Sequence, residues 1–227
     1  MPTLSKETPR RGLDPAKVID SALLLADTEG LAAVTLRRLA QSHQVTPMSL
    51  YRHFADKSDL LNAIADKLLA DIDLPEPTGE RWDRQLRAVM AAFVDALRPH
   101  PNVAGLTLTR ILVAESGLVM AERTMELLIE GGFEPEYAAE VGRQAICSLI
   151  VLVTTEPGAG EDPEPEIREQ SLRMKRATLG ALDPKRYPLI TSAADTLVCP
   201  TSTDRYYTLG IDLIVAGIRG VRQDPDA

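Results

Sequence analysis

Apolar residues recur along this chain at three- and four-residue steps with polar side chains between them, the period of amphipathic helices. Asp14 and Pro15 form a cap and first-turn pair, Val18, Ile19, Ala22, Leu23 and Ala26 give one apolar stripe, and Gly30 ends it. A second helix begins after Thr35, buries Leu36, Leu39 and Ala40, and leaves Arg37, Arg38 and Gln41 outside. A third takes Thr46 as cap and Pro47 as its first residue, where a missing N–H costs nothing, and buries Leu50 with either Tyr51 or Phe54. A fourth runs from Asp56 or Lys57 to about Asp71 on Leu60, Leu61, Ile64, Ala65 and Leu68.

The run LPEPTGE then interrupts the pattern, as a domain boundary does. Beyond it helices are expected over 80–98, 102–114, 117–130, 135–155, 164–179 and 203–220, with no alternating run long enough for a sheet. The expected fold is all-α: an N-terminal three-helix helix-turn-helix domain, joined by a linking helix to a larger helical domain. Residues 1–70 form the first unit with its linking helix, and residues 71–227 the second. With three Phe, one Trp and five Tyr in 227 residues, the cores must rest on Leu, Ile, Val and Ala.

Only Ser42 to Val45 separate the second and third helices, and so short a link fixes them at a steep angle. In that geometry the third helix enters the major groove of DNA by its N-terminal end, and Met48, Ser49, Arg52 and His53 face bases or phosphates. The turn carries His43 or Gln44 where Gly would take a positive φ freely.

Charge divides in the same way. Residues 1–70 hold nine Lys or Arg against eight Asp or Glu, a balance of +1, and residues 71–227 hold sixteen against twenty-five, a balance of −9. The acidic second unit is repelled by DNA, so binding rests on a local footprint of Arg37, Arg38, Arg52 and Lys57 that is modest enough to need two copies. Lys6, Arg10 and Arg11 lie in a Pro-containing arm that either contacts phosphates or the minor groove, or stays a solvated tail.

Val18 to Leu61 resembles the N-terminal DNA-binding domain of the TetR family of transcriptional repressors, whose pattern V-x-x-x-x-L-Y-x-H-F-x-x-K-x-x-L-L is matched by Val45, Leu50, Tyr51, His53, Phe54, Lys57, Leu60 and Leu61. The likeness covers about a fifth of the chain, and the second unit is more loosely similar to the tetracycline-repressor-like branch, which implies a larger helical ligand-binding and dimerisation domain. It implies that Pro47, Met48, Ser49 and Arg52 stand where the family reads bases or nearby phosphates. Tyr51 and His53 stand where it touches the backbone, and Lys57 where it meets a phosphate. The DNA-binding candidates are therefore Thr35, Arg37, Pro47, Met48, Ser49, Tyr51, Arg52, His53 and Lys57. Arg52 can donate to both O6 and N7 of a guanine, and Met48 can touch a thymine methyl or be plain surface. Tyr51 reaches a phosphate with its ring buried or is core, Phe54 is core, and His53 contacts DNA or is a helix C-terminal cation.

Two later helices are apolar around much of their circumference. Val141, Ala145, Leu149 and Leu152 on one, with Tyr206, Leu209, Leu213, Ile214 and Gly217 on the other, form the expected homodimer interface, a four-helix arrangement of two pairs. The expected effector pocket draws on Phe93, Leu97, Leu106, Leu112, Met120 and Met125, with His100, Arg110 and Gln144 as polar handles. His100 alternatively sits exposed or cap-like in its Pro-flanked corner.

Catalysis finds no support: there is no Gly-rich phosphate loop after a strand, no HExxH, and Ser116 lacks the setting of a nucleophile elbow. No cofactor is expected and no metal, since the three His are scattered, and Cys147 and Cys199 make neither a disulfide framework nor a metal site. No signal peptide or apolar run of membrane-spanning length is read, which places the chain in the cytoplasm with its DNA. The reading is a repressor released from a palindromic operator by a small apolar or amphipathic ligand. The alternative is an effector-independent DNA-binding factor whose acidic domain dimerises or recruits a protein.

Overall fold

Twelve α-helices and two short 3₁₀ turns make up the described part of the computed structural model, residues 13–156, 165–200 and 202–222, and no strand occurs among those residues. Lys6, Arg10 and Arg11 of the N-terminal arm, and the Pro-rich acidic run at 157–164, lie outside the described residues. The head consists of α1 (Pro15–Glu29), α2 (Leu36–Ser42), α3 (Pro47–Tyr51) and α4 (Lys57–Ala70). The body consists of α5 (Trp82–Leu97), α6 (Pro101–Ala104), α7 (Glu115–Glu130), α8 (Pro135–Thr154), α9 (Pro165–Gly180), α10 (Pro188–Ser192), α11 (Ala194–Val198) and α12 (Thr203–Arg222).

Side-chain caps define the head helices. Asp14 accepts from the Ala16 N–H at 3.1 Å and Thr35 from the Arg38 N–H at 3.2 Å. At α4 the cap is reciprocal: Asp56 accepts from the Asp59 N–H at 2.9 Å, and Asp59 accepts from the Ala55 N–H at 3.0 Å. Thr46 departs from expectation, since its hydroxyl meets that of Ser49 at 3.0 Å and caps no N–H. Val18, Ala22, Leu39, Leu50, Leu60 and Ile64 close the head core with almost no exposure.

In the body, α5, α7, α8 and α12 pack around Leu86, Phe93, Leu97, Leu127, Leu128 and Val153. Asp83, fully buried at the start of α5, is paired with Arg219 of α12 and with Arg81 at 3.3 Å, which gives that carboxylate the partners burial demands. Gly210 lets α12 approach α8 closely: a Cβ there would lie 2.6 Å from a Leu152 methyl carbon.

The helix expected over 102–114 is broken. It stops at Ala104, continues as a 3₁₀ turn over Gly105–Thr109, and gives way to turns before α7. The cause is local: Thr107 donates to the Ala104 carbonyl at 2.7 Å and Thr109 to that of Leu106 at 3.1 Å, so hydroxyls compete for the carbonyls a longer helix would use. Val103 of α6 crosses into the head and is part of its core, with Leu106 packed against it.

One described helix, α8, is long and apolar enough to cross a membrane by length and composition, contrary to the sequence reading. Its apolarity has a local use, since Ala138, Val141, Ala145, Leu149, Ile150 and Val153 are buried in the body. Helices α9, α10 and α11 carry no buried residue among those whose burial is described, and they pack mainly on one another.

Candidate nucleic-acid interface

The turn before α3 is set by Gln44, whose φ of 55° makes it the one described non-Gly residue with left-handed backbone; of the two candidates for that place, His43 is excluded. The Val45 N–H donates to the Ala40 carbonyl at 2.9 Å and closes the turn, while His43 Nε2 lies 3.0 Å from the Ser21 hydroxyl and ties the turn to α1. Leu50 and Phe54 then anchor α3 from below, both buried. Everything else on this short helix faces outward: Pro47, Met48 and Tyr51 are exposed, as are Arg52 and His53 just beyond, and Ser49 is half-buried. Tyr51 is 51% exposed, so the Phe54 ring alone fills the core and the expectation of a buried Tyr51 ring is corrected. Leu50 and Phe54 are four residues apart on one side of the turn, which rotates Tyr51 to the other.

Thr35 is both exposed and the cap of α2, and Arg37 projects freely beside it. Arg38 does not share that freedom. Its guanidinium is held by both oxygens of Glu29, and this bond keeps the Glu29 carboxyl below its ordinary range. Lys57 donates to the Leu31 carbonyl at 3.1 Å, stitching α4 to the 3₁₀ turn Leu31–Ala33 while remaining exposed. Arg37, Arg52, His53, Lys57, Met48 and Tyr51 are thus all exposed on or beside the helix-turn-helix, with side chains suited to phosphates and base edges.

The dimer candidates divide. Leu209 and Leu213 are 53% and 64% exposed, and Gly217 is exposed beside them, while Tyr206, Ile214 and Leu152 are half-buried. Val141, Ala145 and Leu149 are corrected: they point into the body core of their own chain, because α8 turns its richest apolar stripe towards α5, α7 and α12. The outward stripe of α8 is Gln144, Ser148 and Val151, the last 56% exposed. The sequence reading missed Val151, since a helix apolar on all sides does not declare which side is inward. Leu152, Leu197, Tyr206, Leu209 and Leu213 also line a groove of about 360 Å³ between α8, α11 and α12.

Among the described residues the pocket candidates are spread over several surroundings. Phe93, Leu97 and Met120 are packed in the body core and Met125 lies half-buried against it. Leu112 is 74% exposed and Gln144 faces outward, because the break after Ala104 turns the first away and the α8 stripe carries the second. Leu106 packs on the head. Of the other polar handles, His100 Nδ1 lies 2.7 Å from Asp27 of α1, and Arg110 is bound in a fork by Asp66 of α4 at 2.7 and 2.8 Å. Neither Asp announced this role, being one of many acidic residues in an amphipathic pattern. Among the described residues no group of three His, Cys, Asp or Glu is placed to hold a metal ion.

Comparison with known proteins agrees with the geometry. Residues 18–64 match the family described as bacterial regulatory proteins, tetR family, and residues 74–222 match the tetracyclin repressor-like C-terminal domain. An HTH-type transcriptional regulator of Saccharopolyspora erythraea is 32% identical over 117 residues, 52% of this chain and 50% of that protein. The class E tetracycline repressor protein of Escherichia coli is 34% identical over 124 residues, 53% of this chain and 58% of the repressor. The matched segments thus span about half the length of these curated relatives. The Streptomyces coelicolor TetR family protein ActR, solved in complex with actinorhodin, superposes with a TM-score of 0.74 at 26% identity, covering 92% of this chain and 96% of ActR. With family matches that run through both halves, the chain belongs to the TetR family of bacterial regulatory proteins.

Proposed function

We propose that this protein is a sequence-specific DNA-binding repressor that acts as a homodimer on a palindromic operator and is released by a small apolar or amphipathic molecule. The observation that carries the reading is α3: a helix of five residues held by buried Leu50 and Phe54, with Met48, Tyr51, Arg52 and His53 presented outward. Arg52 reads a base edge, while Arg37, Tyr51, His53 and Lys57 bind phosphates and fix register. Residues 1–70 form the reading unit and 71–227 the effector and dimerisation unit. The exposed Leu209, Leu213 and Val151 pair with a second copy across a twofold axis and bring two α3 helices to successive major grooves, in the cytoplasm where the DNA lies.

Effector release is supported by the kinship with tetracycline repressors and with ActR, whose structures carry actinorhodin or (S)-DNPA. The effector-independent reading keeps one observation in its favour, the dense packing of Phe93, Leu97 and Met120 where a pocket was expected. Selection of bound fragments from random duplex DNA at one stated salt concentration tests the function. A palindrome with half-sites related by dyad symmetry is expected; absence of enrichment over random sequence overturns the proposal. Screening small apolar compounds for release from the selected duplex then separates the two readings.

A further inference from the structure

The head meets the body through apolar contacts and polar ones, and these differ in what they can fix. Val103 enters the head core with Leu106 packed against it, and Leu69 of α4 enters the body core, but apolar burial is non-directional and tolerates sliding and rotation. The polar contacts are directional. Arg110 Nε and Nη2 donate to the two oxygens of Asp66 on α4 at 2.7 and 2.8 Å, a fork that fixes both separation and plane. Ten residues earlier, His100 Nδ1 lies 2.7 Å from Asp27 Oδ2 near the end of α1, and Asn102 Nδ2 donates to the Ala26 carbonyl at 2.9 Å. His100 is the one hydrogen-bonding partner of the Asp27 carboxylate among the described residues, and the other carboxylate oxygen is buried without one.

One such bond leaves the head free to turn about it. Two bonds, on different head helices and from both ends of residues 100–110, remove that freedom. We infer that Asp66–Arg110 and Asp27–His100 are a two-point clamp of positioning residues, which fixes the angle between head and body and so the separation of the two α3 helices in a dimer. The inference rests on the operator-reading function proposed above. None of the four residues reads DNA; they decide which half-site spacing the dimer accepts.

The test uses the full chain and a series of palindromes built from the selected half-site, with the centre lengthened or shortened one base pair at a time. Wild type is expected to lose about tenfold or more for each step away from its best spacing, since half-sites must match the separation of the recognition helices. Arg110→Ala, and separately the near-isosteric Asp66→Asn, are expected to flatten that profile to within about threefold while affinity for random duplex stays unchanged, because phosphate contacts are untouched. The exchanged pair Asp66→Arg with Arg110→Asp is expected to restore part of the sharpness. A uniform loss on every duplex, as lowered stability alone would give, overturns the clamp. So does a variant profile as sharp as that of wild type. A wild type without any spacing preference overturns the clamp and the operator-reading function together, whereas a sharp wild-type profile left intact in the variants overturns the clamp alone.

Discussion

Two surfaces of this molecule leave large side chains in water, and they do so with opposite chemistry. Around α3 the exposed groups are Met48, Tyr51, Arg52 and His53, with Arg37 and Lys57 beside them; on α8, α11 and α12 they are Val151, Leu197, Leu209 and Leu213. The first surface combines cations with one thioether and one phenol, which suits a charged polymer whose bases present edges and methyl groups. The second gathers branched aliphatics from three helices, which gain only when another apolar face removes them from water. Exposure by itself is uninformative, and the chemistry of what is exposed separates a DNA face from a self-association face.

The largest effect is expected from breaking the second surface. Leu209→Glu with Leu213→Glu places two carboxylates on the proposed dimer face and should convert the proposed dimer to monomer, weakening operator binding by roughly 4 kcal/mol or about a thousandfold as the second half-site is lost. Sedimentation and operator titration read both consequences, and a variant that stays dimeric would show that α12 is not the interface. Next is the support beneath the first surface. Leu50→Ala empties a fully buried position under α3 and should cost about 2 to 5 kcal/mol of head stability, read by chemical denaturation, with little effect on the isolated dimer contact.

Arg52→Ala should remove about 1 to 3 kcal/mol from operator binding in preference to random DNA. Equal losses on both in a binding titration would recast Arg52 as a phosphate contact. Smallest is Gln44→Gly, which relieves left-handed backbone at the turn and should raise the melting temperature slightly, by less than about 1 kcal/mol in stability after the entropy of Gly is set against it. A lowered melting temperature would mean that the Gln44 side chain contributes more than its backbone costs.

The head was largely legible in the sequence because its signals are local. Asp14 and Thr35 cap the helices they were expected to cap, the fourth helix starts at Lys57, one of its two expected first residues, Gly30 ends α1, and Leu36, Leu39, Leu50 and Leu60 are buried as their spacing indicated. The body was legible in its helices and illegible in their orientation. Helix α8 carries apolar residues on nearly every side, so Val141 and Val151 looked equivalent, although one is core and the other is 56% exposed. The pocket was illegible for a related reason. Whether Phe93 or Leu112 lines a cavity depends on how helices distant in sequence pack, and the Thr-driven break after Ala104 redirected the segment that carries Leu112 and Arg110. Pairings such as Asp66 with Arg110, forty-four residues apart, leave no periodic trace at all.

The account stands or falls on the assignment of one surface to DNA and the other to a second copy of the chain. The mass of the complex formed on the selected palindrome, compared with that formed on a single half-site, tests this most directly. Two chains bound together on the palindrome, with much weaker binding to the half-site, is the predicted result; a single chain that binds the half-site as tightly as the palindrome would contradict it.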